Sequence, residues 1–63
     1  MIALTRLNNS SFVVNAELIR YIESTPDTLI TLDGGEKIMV RESLDEVVNK
    51  AVDYARQIHA FSL

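Results

Sequence analysis

A chain of 63 residues has room for one domain and none for a separate substrate lobe. Folding at this size buries only about 60% of the surface of the unfolded chain, and the absence of Cys excludes disulfides and thiolate metal sites as extra support. A formal net charge of −3 and a pI of about 4.8 disfavour phosphate backbones and anionic lipid as partners.

Self-association is the support that remains, because 48% hydrophobic residues in so short a chain leave apolar surface for another copy. No segment approaches the roughly 20 apolar residues that cross a bilayer. No basic region precedes a long apolar run at the N-terminus. The reading is therefore an unprocessed cytoplasmic protein, with no membrane insertion, that forms a homo-oligomer.

In chain order, residues 1–7 form an extended apolar segment, Asn8-Asn9-Ser10 tolerate turn geometry, and Phe12-Val13-Val14 resume with β-formers. This predicts a hairpin centred near Asn8-Asn9. A short turn over Asn15-Ala16-Glu17 leads to a third strand, residues 18–23, whose Ile19 and Tyr21 suit a sheet. Pro26 in Ser24-Thr25-Pro26-Asp27 breaks the pattern, since it lacks a backbone donor and biases Thr25 away from helix.

Residues 28–32 and 37–40 flank Asp33-Gly34-Gly35-Glu36, where the two glycines offer the positive φ of a tight hairpin. Thr28, Ile30 and Leu32 share one face of this hairpin, Leu29 and Thr31 the other, so both faces of the sheet are expected to be partly covered.

From Ser43 the period becomes helical, with apolar residues at 44, 47, 48, 51, 52, 54, 55 and 58. Ser43 and Glu46 match a capping box. Asp45 and Glu46 suit the positive end of the helix, Arg56 and His59 the negative end, and Glu46 is placed to pair with Lys50. The helix is expected to reach Ile58 or His59, its wide apolar stripe serving as a core face. Phe61-Ser62-Leu63 is an apolar tail available to pack on a neighbour. The fold class is α+β: four to five short antiparallel strands, in a sheet or small barrel, then one C-terminal amphipathic helix, all in a single domain over residues 1–63.

Catalytic chemistry finds few residues to work with. His59 is the only histidine, so one chain cannot make a two-histidine metal site, and a Ser-His-acid triad would have to be built at a helix end. Gly34-Gly35 lacks the Lys-Ser/Thr of a phosphate-cradling loop. Glu17, Glu23, Asp27, Asp33 and Glu36 lie beside turns or at exposed positions, where solvation explains them. The chain is read as non-enzymatic, with no cofactor and no metal. Arg6 and Arg41 each interrupt or end an apolar strand, and charges there serve either as contacts to a partner or as edge charges against aggregation. Asn8 and Asn15 are turn formers by type. Arg6, Asn8, Asn15 and Arg41 are the candidate partner-binding residues.

Leu4-Thr5-Arg6-Leu7-Asn8, Phe12-Val13-Val14-Asn15-Ala16, Leu18-Ile19 and Ile22-Glu23 resemble the FlbD family of small flagellar proteins, called SwrD in swarming bacteria. Thr25-Pro26-Asp27-Thr28, Ile30-Thr31-Leu32, Gly35, Lys37, Val40, Glu42-Ser43, Glu46-Val47-Val48 and Lys50 continue the pattern in the same order. The resemblance spans about residues 1 to 58, and its most specific part is Thr25-Pro26-Asp27-Thr28. Ala3 stands where a charged residue is common, and the Asn and Gly pairs stand where Asn-Gly turns are usual. The resemblance implies a cytoplasmic motility protein, peripheral to the flagellar motor, that supports motor output or swarming by contact with a motor or regulatory component. It supplies no catalytic residue.

Two nucleic-acid families share fragments of the pattern. Leu4-Thr5-Arg6 and the strands-then-helix plan are similar to the RNA-binding CsrA family, with Arg6 and Arg41 as the candidate contacts. Tyr21-Ile22-Glu23 through Val40-Arg41-Glu42-Ser43-Leu44 is similar to LytTR DNA-binding domains. The acidic balance and the missing basic loops weigh against both.

Overall fold

The structure, a computed structural model, describes residues 1–59. Five strands precede one helix: β1 (Ile2–Thr5), β2 (Ser11–Val14), β3 (Ile19–Ser24), β4 (Thr28–Leu32), β5 (Lys37–Val40) and α1 (Leu44–His59). β1 and β2 form one antiparallel hairpin, and β3, β4 and β5 form a second antiparallel sheet with β4 in the middle. The sheets do not close into a barrel. They meet at one corner, through a bridge between Arg6 and Val40 and a 2.8 Å bond from the Arg41 backbone N–H to the Thr5 carbonyl.

The turn chemistry explains each reversal. At the first hairpin Asn9 takes φ 72, a left-handed conformation that Asn tolerates, while the Asn8 side-chain oxygen Oδ1 accepts from the Ser10 N–H (3.0 Å) and the Ser10 hydroxyl (2.7 Å). Asn15 caps a single 3₁₀ turn over Ala16–Leu18 by accepting from the Glu17 N–H. This is the short turn expected over Asn15-Ala16-Glu17, and it extends through Leu18, so that β3 starts at Ile19 rather than at Leu18. Between β4 and β5 only Gly35 uses positive φ (90), so one of the two glycines supplies the conformation expected of the pair.

Ile2, Leu4, Val14, Ile30, Val40 and Val47 are the buried core, with Phe12, Ile19, Ile22, Leu32, Ile38 and Tyr54 packed against it. They come from the inner faces of both sheets and from one line along α1, as the period-2 and helical alternations require. The apolar stripe of α1 is narrower than the sequence suggests: Val47 is buried and Leu44, Ala51, Tyr54 and Ile58 are half-buried, whereas Val48, Val52 and Ala55 face outward. Two small sheets joined at a corner offer a helix only one narrow groove. No helix of the described residues is long and apolar enough to cross a membrane.

At the start of α1 the expected reciprocal cap forms: Glu46 N–H donates to the Ser43 hydroxyl (3.2 Å) and Ser43 N–H donates to the Glu46 carboxylate (3.3 Å). The expected Glu46–Lys50 pair does not form. Glu46 is committed to the cap, and the Lys50 ammonium donates instead to the Ala3 carbonyl at 3.1 Å, tying the helix to β1. Phe61-Ser62-Leu63 and the His59 side chain lie outside the described residues. Ser43→Ala is expected to destabilise the fold by about 1 kcal/mol. Urea denaturation measures this, and an unchanged midpoint would mean that the cap does not hold the helix start.

Candidate partner-binding site

The corner where the two sheets meet is built by residues distant in sequence. Thr5 ends β1 and Glu42 follows β5, yet the Glu42 carboxylate accepts from both the Thr5 N–H and the Thr5 hydroxyl, each at 2.9 Å. Burial pushes the Glu42 carboxyl up, but the two Thr5 bonds, its own backbone N–H and the nearby Lys50 charge outweigh this and hold it below its ordinary value. Glu42 is therefore a charged clip between the first hairpin and the β5–α1 junction.

Beside this clip lies an open groove of about 340 Å³. Leu7, Pro26 and Leu44 give it apolar walls, and Asp27, Arg41 and Ser43 give it polar groups. The loop between β3 and β4 forms one side. Its Thr25-Pro26 peptide is cis, Thr25 N–H donates to the Asp27 carbonyl (3.0 Å), and the Ser24 hydroxyl donates to the Pro26 carbonyl (3.2 Å). These bonds use backbone groups and leave the exposed Asp27 side chain at the groove. The segment on which the family resemblance rests most heavily thus faces the start of α1.

The structure brings some of the sequence candidates together and separates others. Arg41 lines the groove, with its guanidinium donating to the Leu7 carbonyl at 3.1 Å. Arg6 sits at the same corner, but its guanidinium lies over the Phe12 ring, 4.5 Å from the centroid. Asn8 lies in the turn next to Leu7, where its side chain holds the turn. Asn15 follows the Val14 end of β2, the end away from that turn, and caps the 3₁₀ segment. So Arg6, Asn8 and Arg41 share one corner and Asn15 stands apart. Asp27, Glu42 and Thr5 belong to the corner as well. The sequence places Asp27 and Glu42 in the family pattern without indicating that Glu42 reaches Thr5, 37 positions away.

The groove is suited to holding a short piece of another protein: its apolar walls take a side chain, Asp27 offers an exposed acceptor, and Arg41 offers donors. With both arginines engaged within the chain, the corner gives no specific support to the CsrA-like or LytTR-like readings. Among the described residues no three His, Asp or Glu side chains gather to hold a metal ion.

No curated protein and no solved structure matches the chain. A family model described as FlbD, flagellar and swarming motility proteins, matches residues 1–59, almost the whole sequence and all of the fold described above. The chain belongs to the FlbD family of flagellar and swarming motility proteins.

Proposed function

We propose that this chain is a non-enzymatic cytoplasmic module that supports flagellar motor output or swarming by contact with a larger motor or regulatory component, and that it works as a homo-oligomer. The family match over residues 1–59 carries the motility part of this reading. The groove between the Thr25-Pro26-Asp27-Thr28 loop and the start of α1 is the docking surface, with Arg41 and Asp27 as its charged contacts. Arg6 and Asn8 flank it. Such a module carries no means of generating energy and acts by changing what its partner does. Self-association follows from the exposed apolar residues, including Met1, Val13, Tyr21 and Met39.

Deleting the protein is expected to leave flagella assembled while reducing swimming or swarming. Counting flagella by microscopy and measuring torque on tethered cells tests this. Missing flagella would redirect the role to assembly or gene regulation, and normal torque with normal swarming would remove the motility role at the motor. In the same cells Arg41→Glu and Arg6→Glu are expected to impair motility. Their stability cost is about 1 kcal/mol or less, because each loses one exposed interaction.

A further inference from the structure

The outer face of β3-β4-β5, turned away from the core, exposes large apolar side chains. The register sets two cross-strand rows on it: Tyr21, Thr31 and Lys37, then Glu23, Leu29 and Met39. Tyr21 is 57% exposed and Met39 44% exposed, although both lie on paired strands. Leu29 is half-buried between them. Thr31, at the centre, is buried, and its hydroxyl has no hydrogen-bond partner among the described residues. The charged residues of these two rows, Glu23 on β3 and Lys37 on β5, are of opposite sign and stand at opposite corners, while the Arg20 guanidinium, 5.8 Å from the Tyr21 ring centroid, is paired with Asp33 at 3.8 Å.

We infer that this face is the contact between two copies of the chain, packed sheet on sheet about a two-fold axis along the Tyr21–Met39 diagonal. Such an axis stacks Tyr21 and Met39 near their own symmetry mates and exchanges the two remaining corners. Each Glu23 then meets Lys37 of the second copy, twice per dimer, as an isologous interface requires. The strands of the two sheets cross at a steep angle, one of the two ways in which sheets pack face to face. The charge pattern selects a second copy over an unrelated partner, because the face is complementary to itself: an apolar diagonal, one acidic corner and one basic corner. The inference rests on the self-association part of the proposed function and names its surface, leaving the groove at the other side of the sheet free for the motor or regulatory component.

Sedimentation equilibrium of the full chain at micromolar concentration is expected to return twice the 7.1 kDa chain mass. Met39→Asp is expected to give the monomer. Glu23→Lys and Lys37→Glu are each expected to weaken the dimer about tenfold, and the double exchange to restore it. Far-UV circular dichroism checks that the variants, all at exposed positions, keep the fold. A wild-type monomer would overturn both this inference and the proposed self-association. A wild-type oligomer indifferent to Met39→Asp, or a charge exchange that fails to restore what the single changes lose, would overturn the face alone. Motility of the Glu23→Lys/Lys37→Glu strain at wild-type level, with the dimer intact, is the expected companion result.

Discussion

Ile30→Ala is expected to remove about 2–5 kcal/mol of stability, the cost of deleting a fully buried aliphatic side chain and leaving part of its space empty. Ile30 is 0% exposed at the centre of β4 and belongs to the core cluster with Leu4, Val40 and Val47. A domain of this length has roughly 3–9 kcal/mol in total, at 0.05–0.15 kcal/mol per residue. The variant is therefore expected to be largely unfolded at 37 °C, or to unfold at a far lower urea concentration. Val13→Ala is the control, since Val13 is 65% exposed on β2 and its truncation is expected to cost about 0.5 kcal/mol or less. Equal shifts for the two variants would place the core elsewhere.

Glu42→Ala is the second large effect. It removes the carboxylate that accepts from the Thr5 N–H and hydroxyl, at an expected cost of about 2–3 kcal/mol for bonds to a charged group. The same clip makes stability depend on acid in a fixed direction. The folded Glu42 carboxyl titrates below its ordinary value near 4.5, so the unfolded chain takes up a proton at this site before the folded one does. The stabilisation is full above the ordinary value and is lost as pH falls through the lower folded value. Urea midpoints of the wild type and Glu42→Gln between pH 7 and pH 3 are expected to differ most at neutral pH and to converge in acid. A constant difference across that range would show that the charge on Glu42 contributes nothing.

The clip also shows why part of the site is invisible to pattern reading. Thr5 and Glu42 are 37 positions apart, Arg41 and Leu7 34, Lys50 and Ala3 47. Each is a polar residue of ordinary type at an ordinary place, and nothing within ten residues of either partner distinguishes it. Glu46 illustrates the same point in reverse. Its spacing fits both a pair with Lys50 and a cap with Ser43; the structure uses the cap because β1 presents a free carbonyl to Lys50. Asn8 and Asn15, by contrast, do what their side chains do locally, bonding backbone two residues on.

What the sequence by itself determined is local. The β4–β5 hairpin follows from two β-rich runs around a glycine turn, the helix start from Ser43 and Glu46, the break before β4 from Pro26, and the family from a pattern running the length of the chain. These depend on steric limits and hydrogen bonds among residues a few positions apart, which any stretch of sequence displays. Only the tertiary structure decided that the sheets stay open and join at one corner, that three of the eight apolar stripe positions of α1 face outward, and that Arg41, Asp27 and Glu42 gather at the corner with Thr5. Those outcomes depend on which surfaces of already formed elements fit together best. That is a property of shape and of the few polar groups left over at each end, and it is not written in the periodicity of any single element.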